Sequence, residues 1–159
     1  MQIPVFQSHP RTQVIAVSSG HAERAEKTAK DHGISAHYTN FEEMLDKQKP
    51  DLVSIVTPPD LHFPMTMAAL SREIHVLCEK PFAMNLDEAR QMKREAENAK
   101  VVAMIDYEFR ALLTHMVRAI EKRLPSPSPN FADGANSQAV LDAARLSACQ
   151  GIWVEVSKP

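Results

Sequence analysis

The residue type and position that most directly offer chemistry are those of Lys80. It closes the run His75-Val76-Leu77-Cys78-Glu79-Lys80-Pro81, where a short apolar strand gives way to an acid, a base and a proline. In an open parallel sheet, ligands collect just beyond the carboxyl ends of the strands. A lysine there brings one positive charge and three donors to a substrate oxygen. Read alone, it is equally an exposed lysine in a turn. A second apolar run is followed by Thr57-Pro58-Pro59-Asp60-Leu61-His62, and a third by Tyr107-Glu108-Phe109-Arg110. Cys78, between Leu77 and Glu79, reads as a small apolar filler rather than a nucleophile. With Cys149 it makes only two cysteines, too few and too far apart for a disulfide framework, and no metal site is expected.

The elements that must position these residues alternate in period. Gln13–Val17, Ala36–Tyr38, Leu52–Val56, residues 75–78 and Val101–Ile105 read as short buried strands. Between them, Ala22–His32, a segment ending near Lys49, residues 61–71 and a segment capped by Asn85 with Glu88 read as helices. Gly33 supplies a left-handed stop, and Ala89, Met92 and Ala96 form the inner face of the fourth helix. Residues 1–12 read as the tail of a helix running into a turn, and 111–123 as an amphipathic helix with Leu112, Leu113, Met116, Val117 and Ile120 as its stripe. Short connections between alternating strands and helices predict right-handed βαβ units and a parallel sheet.

Three parts follow: residues 1–123, a proline-spaced linker over 124–130, and a tail over 131–159 holding one helix (133–149) and one strand (Ile152–Val156). The balance of 18 basic against 20 acidic side chains, net −2, has no tract of like charge and points to neither nucleic acid nor an anionic membrane. No signal-peptide pattern follows Met1, so a reducing, cytoplasmic setting is the expectation.

Taken together, Thr57-Pro58-Pro59-Asp60-Leu61-His62, Cys78-Glu79-Lys80-Pro81 and Tyr107-Glu108-Phe109-Arg110, each beyond a strand, resemble the Gfo/Idh/MocA family of nicotinamide-dependent oxidoreductases. The match covers about residues 2–123 and resumes in Phe131-Ala132-Asp133-Gly134 through Gly151-Ile152-Trp153-Val154-Glu155-Val156. The resemblance implies an α/β, Rossmann-like, mostly parallel sheet flanked by helices, with a C-terminal helix and strand. It implies NAD(P) as cofactor and a sugar- or polyol-type hydroxyl as substrate. The residues matching Thr57, Pro58 and His62 then line the dinucleotide, Glu79 reaches the nicotinamide ribose, and Lys80 binds the reacting hydroxyl beside the nicotinamide. Burial would ease proton exchange at such an ammonium, whose charge stabilises a developing alkoxide. A cis Lys80–Pro81 bond is implied as well, against the usual trans preference. His62 and Arg110 have plainer alternatives as residues at a helix start, Tyr107 and Phe109 as packing, and His115 as a structural residue on a helix face.

Two expected parts are absent from this sequence. The dinucleotide fold opens with a strand and a G-x-G-x-x-G turn at a helix N-terminus. Yet the four glycines are Gly20, Gly33, Gly134 and Gly151, and none precedes Gln13. The chain is therefore expected to begin downstream of its own phosphate site. Most of the substrate domain, with its acid and histidine, has no counterpart, and Lys80 lacks its usual proton-transfer partner. At the position that contacts the adenosine ribose, Ser18-Ser19 places a serine where an acid would accept a 2′-hydroxyl. Ser19 tilts the preference slightly toward NADP, with Arg24 as a candidate phosphate partner.

The missing first strand would sit at the centre of the sheet. Its loss leaves backbone groups unpaired at about 1–3 kcal/mol each when buried, against a total stability of roughly 5–15 kcal/mol. Ile152–Val156, a partner chain or a reorganised sheet could answer that cost; the last predicts an altered order or a split sheet. Two functions stand: a hydride-transfer oxidoreductase, and a non-catalytic remnant serving as an interaction or dimerisation module.

Overall fold

The computed structural model describes residues 2–106 and 109–157, with the side chains of residues 109–112 outside that description. Tyr107, Glu108 and the side chains of Phe109 and Arg110, singled out above, therefore lie outside the described residues. The elements run α1 (Ile3–Ser8), β1 (Ala16–Ser18), α2 (Ala22–Asp31), β2 (Ala36–Tyr38), α3 (Phe41–Gln48), β3 (Leu52–Ile55), α4 (His62–Leu70), β4 (His75–Glu79), α5 (Leu86–Ala99), β5 (Ala103–Asp106), α6 (Phe109–Lys122) and α7 (Phe131–Gln150). This is an α/β chain with every strand pair parallel. Its strands fall into two sheets, β1–β2 and β3–β4–β5. The split is the outcome expected of a sheet reorganised around a missing centre.

Strand alternation assigns the two faces of the larger sheet. Val53, Ile55, Val76, Cys78, Ala103 and Ile105 join a core under α3, α4, α5 and α7. Leu77, Val102 and Met104 face the other way, against Met116 and Ala119 of α6 and Phe6 of α1. Ala16, Tyr38 and Phe41 pack on the first core and so tie the smaller sheet to it. Local signals account for the helix ends. The Asn40 and Asn85 side chains accept from the N–H groups of Glu43 and Glu88, each at 2.9 Å, which satisfies donors a helix start would otherwise leave open.

Three expectations need correction. Ile152–Val156 is not a strand: α7 ends at Gly151 (φ +68°), Ser147 Oγ donates to Ile152 O at 2.6 Å, and the segment joins no sheet among the described residues, with Trp153 99% exposed. No neighbouring strand offers it a ladder, and a lone strand gains nothing from extension. β1 begins at Ala16 rather than Gln13, because only Ala16, Val17 and Ser18 find partners, in Ala36, His37 and Tyr38. The linker, expected as an extended chain rather than a packed element, pairs with the sheet. Ser126 Oγ accepts from Ala103 N at 3.1 Å and Pro129 O from Ile105 N at 3.1 Å, so it covers the outer edge of β5.

α7 starts earlier than its apolar pattern shows, at a capping box in which Asn130 and Asp133 satisfy each other's N–H groups. It packs on α5 and β5 through Gly134. A Cβ there would stand 2.8 Å from the Phe82 ring and closer still to Ile105. Phe82 in turn meets Phe131 with ring centroids 4.6 Å apart.

Candidate functional site at the strand ends

Two motif loops meet at the carboxyl ends of β3 and β4, and His62 joins them. Its ring is fully buried, with Nδ1 2.8 Å from Pro81 O and Nε2 2.9 Å from Thr57 O. A neutral imidazole donates to one such carbonyl, an imidazolium to both. The solvent-facing alternative for His62 is thereby excluded, and both ring nitrogens are spent on the protein's own backbone. One rim results, carrying Thr57 and Pro58 on one side and Glu79, Lys80 and Pro81 on the other.

Lys80 is exposed on that rim, with no ion pair among the described residues. Its backbone N–H donates to Glu79 Oε2 at 3.0 Å. The Lys80–Pro81 bond is cis, as the resemblance implies. Pro58 is exposed, whereas Thr57 Oγ1 is closed off from solvent and has no hydrogen-bond partner among the described residues. Ser18 and Ser19 stand apart, on the smaller sheet. Ser19 N donates to Tyr38 O at 3.0 Å and Ser19 Oγ accepts from His21 N at 3.4 Å. Arg24 is exposed and makes no ion pair among the described residues. Cys78 is buried, which pushes its thiol up to about 12, consistent with a filler.

Asp106 is the site residue that the reading of the sequence missed. It ends β5 directly beside Glu79 in the ladder and is only 5% exposed. Burial first, then the Glu79 charge, raises its carboxyl to about 6. The Gln2 amide donates to Asp106 Oδ2, which works against that rise, and Gln2 Oε1 accepts from Ser54 Oγ. The visible signal was an acid closing the apolar run Val101–Ile105 at the same level as Glu79. Gathered at these strand ends are an unpaired ammonium, two adjacent carboxyls and a rigid backbone rim, a set suited to holding hydroxyl groups. Among the described residues, no three His, Cys, Asp or Glu side chains form a metal-binding group.

Comparison with known proteins now decides the lineage. Residues 1–107 match the model of the oxidoreductase family with an NAD-binding Rossmann fold, GFO_IDH_MocA. The chain belongs to the Gfo/Idh/MocA oxidoreductase family. It is 37% identical over 103 residues to 1,5-anhydro-D-fructose reductase of Ensifer adhaerens, covering 65% of this chain and 31% of that protein. It is 34% identical over 107 residues to D-glucoside 3-dehydrogenase of Escherichia coli, covering 67% and 30%. An oxidoreductase from Agrobacterium radiobacter, crystallised with NAD+, L-tartaric acid and magnesium, shares the fold with a TM-score of 0.66 at 23% identity, over 76% of this chain and 36% of that one. This Gfo/Idh/MocA chain thus spans about a third of the relatives it matches.

The family's cofactor is NAD(P), and this chain's residues fit it unevenly. Pro58 and Lys80 are exposed and Glu79 is half-buried along one rim, with polar groups open to a ligand's hydroxyls. For the pyrophosphate, the described residues form no glycine-rich cradle. α1 opens at Gln2, whose side-chain amide is already committed to Asp106 and Ser54.

Proposed function

We propose that this chain carries the nicotinamide end of an oxidoreductase that moves hydride to or from a sugar- or polyol-type hydroxyl. Lys80 is the residue at the reacting oxygen. In this reading the nicotinamide supplies the hydride acceptor or donor. The chain's own residues bind and orient: Glu79 accepts from ribose hydroxyls, Pro58 lines the ring's approach, and His62 keeps the Thr57 and Pro81 loops at a fixed spacing. The Lys80 ammonium donates to the substrate oxygen and stabilises the negative charge that develops there, while the hydroxyl proton passes to solvent water at the open rim.

One observation carries this reading: the His62 bridge, which sets two motif loops from separate strands into a single rim around Lys80. The sugar names of the relatives support the substrate class. Residues 1–123 act as the nucleotide-binding part and Ser19 favours NADP slightly, with a homo-oligomer left open as one assembly. Lys80→Ala should lower NAD(P)-dependent turnover of a polyol panel by about 10²-fold, with cofactor affinity little changed. Turnover that survives the substitution would remove Lys80 from the reacting oxygen.

A second reading has its own observation, the absence of a pyrophosphate cradle among the described residues. Under it the chain is a non-catalytic scaffold, and the unsubstituted protein shows no turnover with either NADH or NADPH.

A further inference from the structure

Between the Lys80–Phe82 loop and α7 lies a cavity of about 520 Å³, open to solvent on one side. That is within the usual range for small-molecule sites. Its walls are largely apolar, with Phe82 buried behind and Val140 and Leu141 exposed at 54% and 45%. Val140 and Leu141 stand on α7, whose buried residues all lie between Phe131 and Ala139. Three polar side chains interrupt the apolar walls: Ser137, whose hydroxyl donates to Asp133 O at 3.0 Å, and two others. One is Lys80, whose ammonium makes no ion pair among the described residues.

The other is Gln138, only 2% exposed. Its amide donates to Asp142 Oδ1 at 2.8 Å, while Asp142 Oδ2 accepts from Leu86 N at 2.6 Å. Because a carboxylate only accepts, the Gln138 amide must present its NH2 to Asp142. The group left over is the Gln138 carbonyl oxygen, which has no partner among the described residues. The nearby acids do not oppose an anion at Lys80. Asp142 is covered by Leu86, Gln138 and, at 4.0 Å, Arg145, and Glu79 is turned back on the Lys80 N–H.

A cavity with a free cation at its rim, one unpartnered acceptor and apolar walls suits an amphipathic anion. We propose that this cavity binds short apolar 2-hydroxycarboxylic acids. The carboxylate sits on Lys80, the hydroxyl donates to Gln138 Oε1, and the alkyl chain lies along Val140 and Leu141. Binding needs neither cofactor nor hydride transfer, so it stands or falls apart from the oxidoreductase reading.

The test is a titration of the cofactor-free protein with 2-hydroxybutanoate, 2-hydroxypentanoate, 2-hydroxyhexanoate and gluconate, followed by NMR at the Gln138 side-chain amide. Each added methylene should tighten binding up to about fourfold. Gluconate, equally charged but polar throughout, should bind more weakly than 2-hydroxyhexanoate. Lys80→Gln should weaken the series roughly fivefold. Val140→Asp, at an exposed position, should weaken it through like charge without unfolding the chain. A flat dependence on chain length, gluconate binding as well as 2-hydroxyhexanoate, or affinity unchanged in Lys80→Gln would overturn the assignment.

Discussion

Glu79 and Asp106 stand side by side in the parallel ladder, at the carboxyl ends of β4 and β5. The charge of the first adds to burial in holding the proton on the second. Asp106 accordingly titrates near 6 in the folded chain instead of at the ordinary 3.8. Between those values the folded state binds a proton that the unfolded state has released, so stability falls as pH rises through the window. Asp106→Asn should remove that slope. It should raise stability by about 3 kcal/mol at pH 8 and leave it unchanged at pH 3. Urea unfolding of both proteins across that range reads the difference.

His62 should be costly to lose. His62→Ala leaves a void and frees two carbonyls at once, a loss of about 2–4 kcal/mol. His62→Gln, which can reach one of the two, should recover part of it. Amide hydrogen exchange should rise first at residues 57–61 and 80–83 if the bridge is what joins them.

Gly134 tests the seat of α7. Alanine in a helix gains about 1 kcal/mol over glycine, but overpacking costs roughly 1–3 kcal/mol. With Ile105 and the Phe82 ring both inside contact distance of a new Cβ, the second effect wins. Gly134→Ala should lower the melting temperature, and Gly134→Val should lower it further.

Trp153 is the control. At 99% exposure it touches little, so Trp153→Ser should change stability by less than about 0.5 kcal/mol. A loss well above that would mean the segment after Gly151 packs as the strand its composition suggests.

Much of this arrangement was legible from residue order, for identifiable reasons. Asn40 and Asn85 cap their helices because that chemistry is local, and Ala89, Met92 and Ala96 are all buried because a period of 3.6 selects one face. The split sheet followed from counting strands against unpaired edges. What was not legible depends on distant partners. Ile152–Val156 has the composition of a strand but no ladder, and Val14 and Ile15 have none either. His62 looked like a ligand-facing or solvent-facing residue because nothing local announces that Pro81 O lies within reach. Asp106 was overlooked because its importance comes from Glu79, on the neighbouring strand. The Asn130–Asp133 capping box was missed although its spacing is local, and the helix was placed from 133 instead of 131.

The central claim is that the rim of Thr57, Pro58, Glu79 and Lys80 receives the nicotinamide end of a dinucleotide. Its most direct test is cofactor fluorescence during titration with NADH and NADPH, for the unsubstituted chain and for Glu79→Ala. The account predicts saturable binding with a Kd on the order of 1 mM or tighter, weakened roughly tenfold by Glu79→Ala through loss of a carboxylate hydrogen bond. No saturation into the several-millimolar range, or the same affinity in Glu79→Ala, would contradict it.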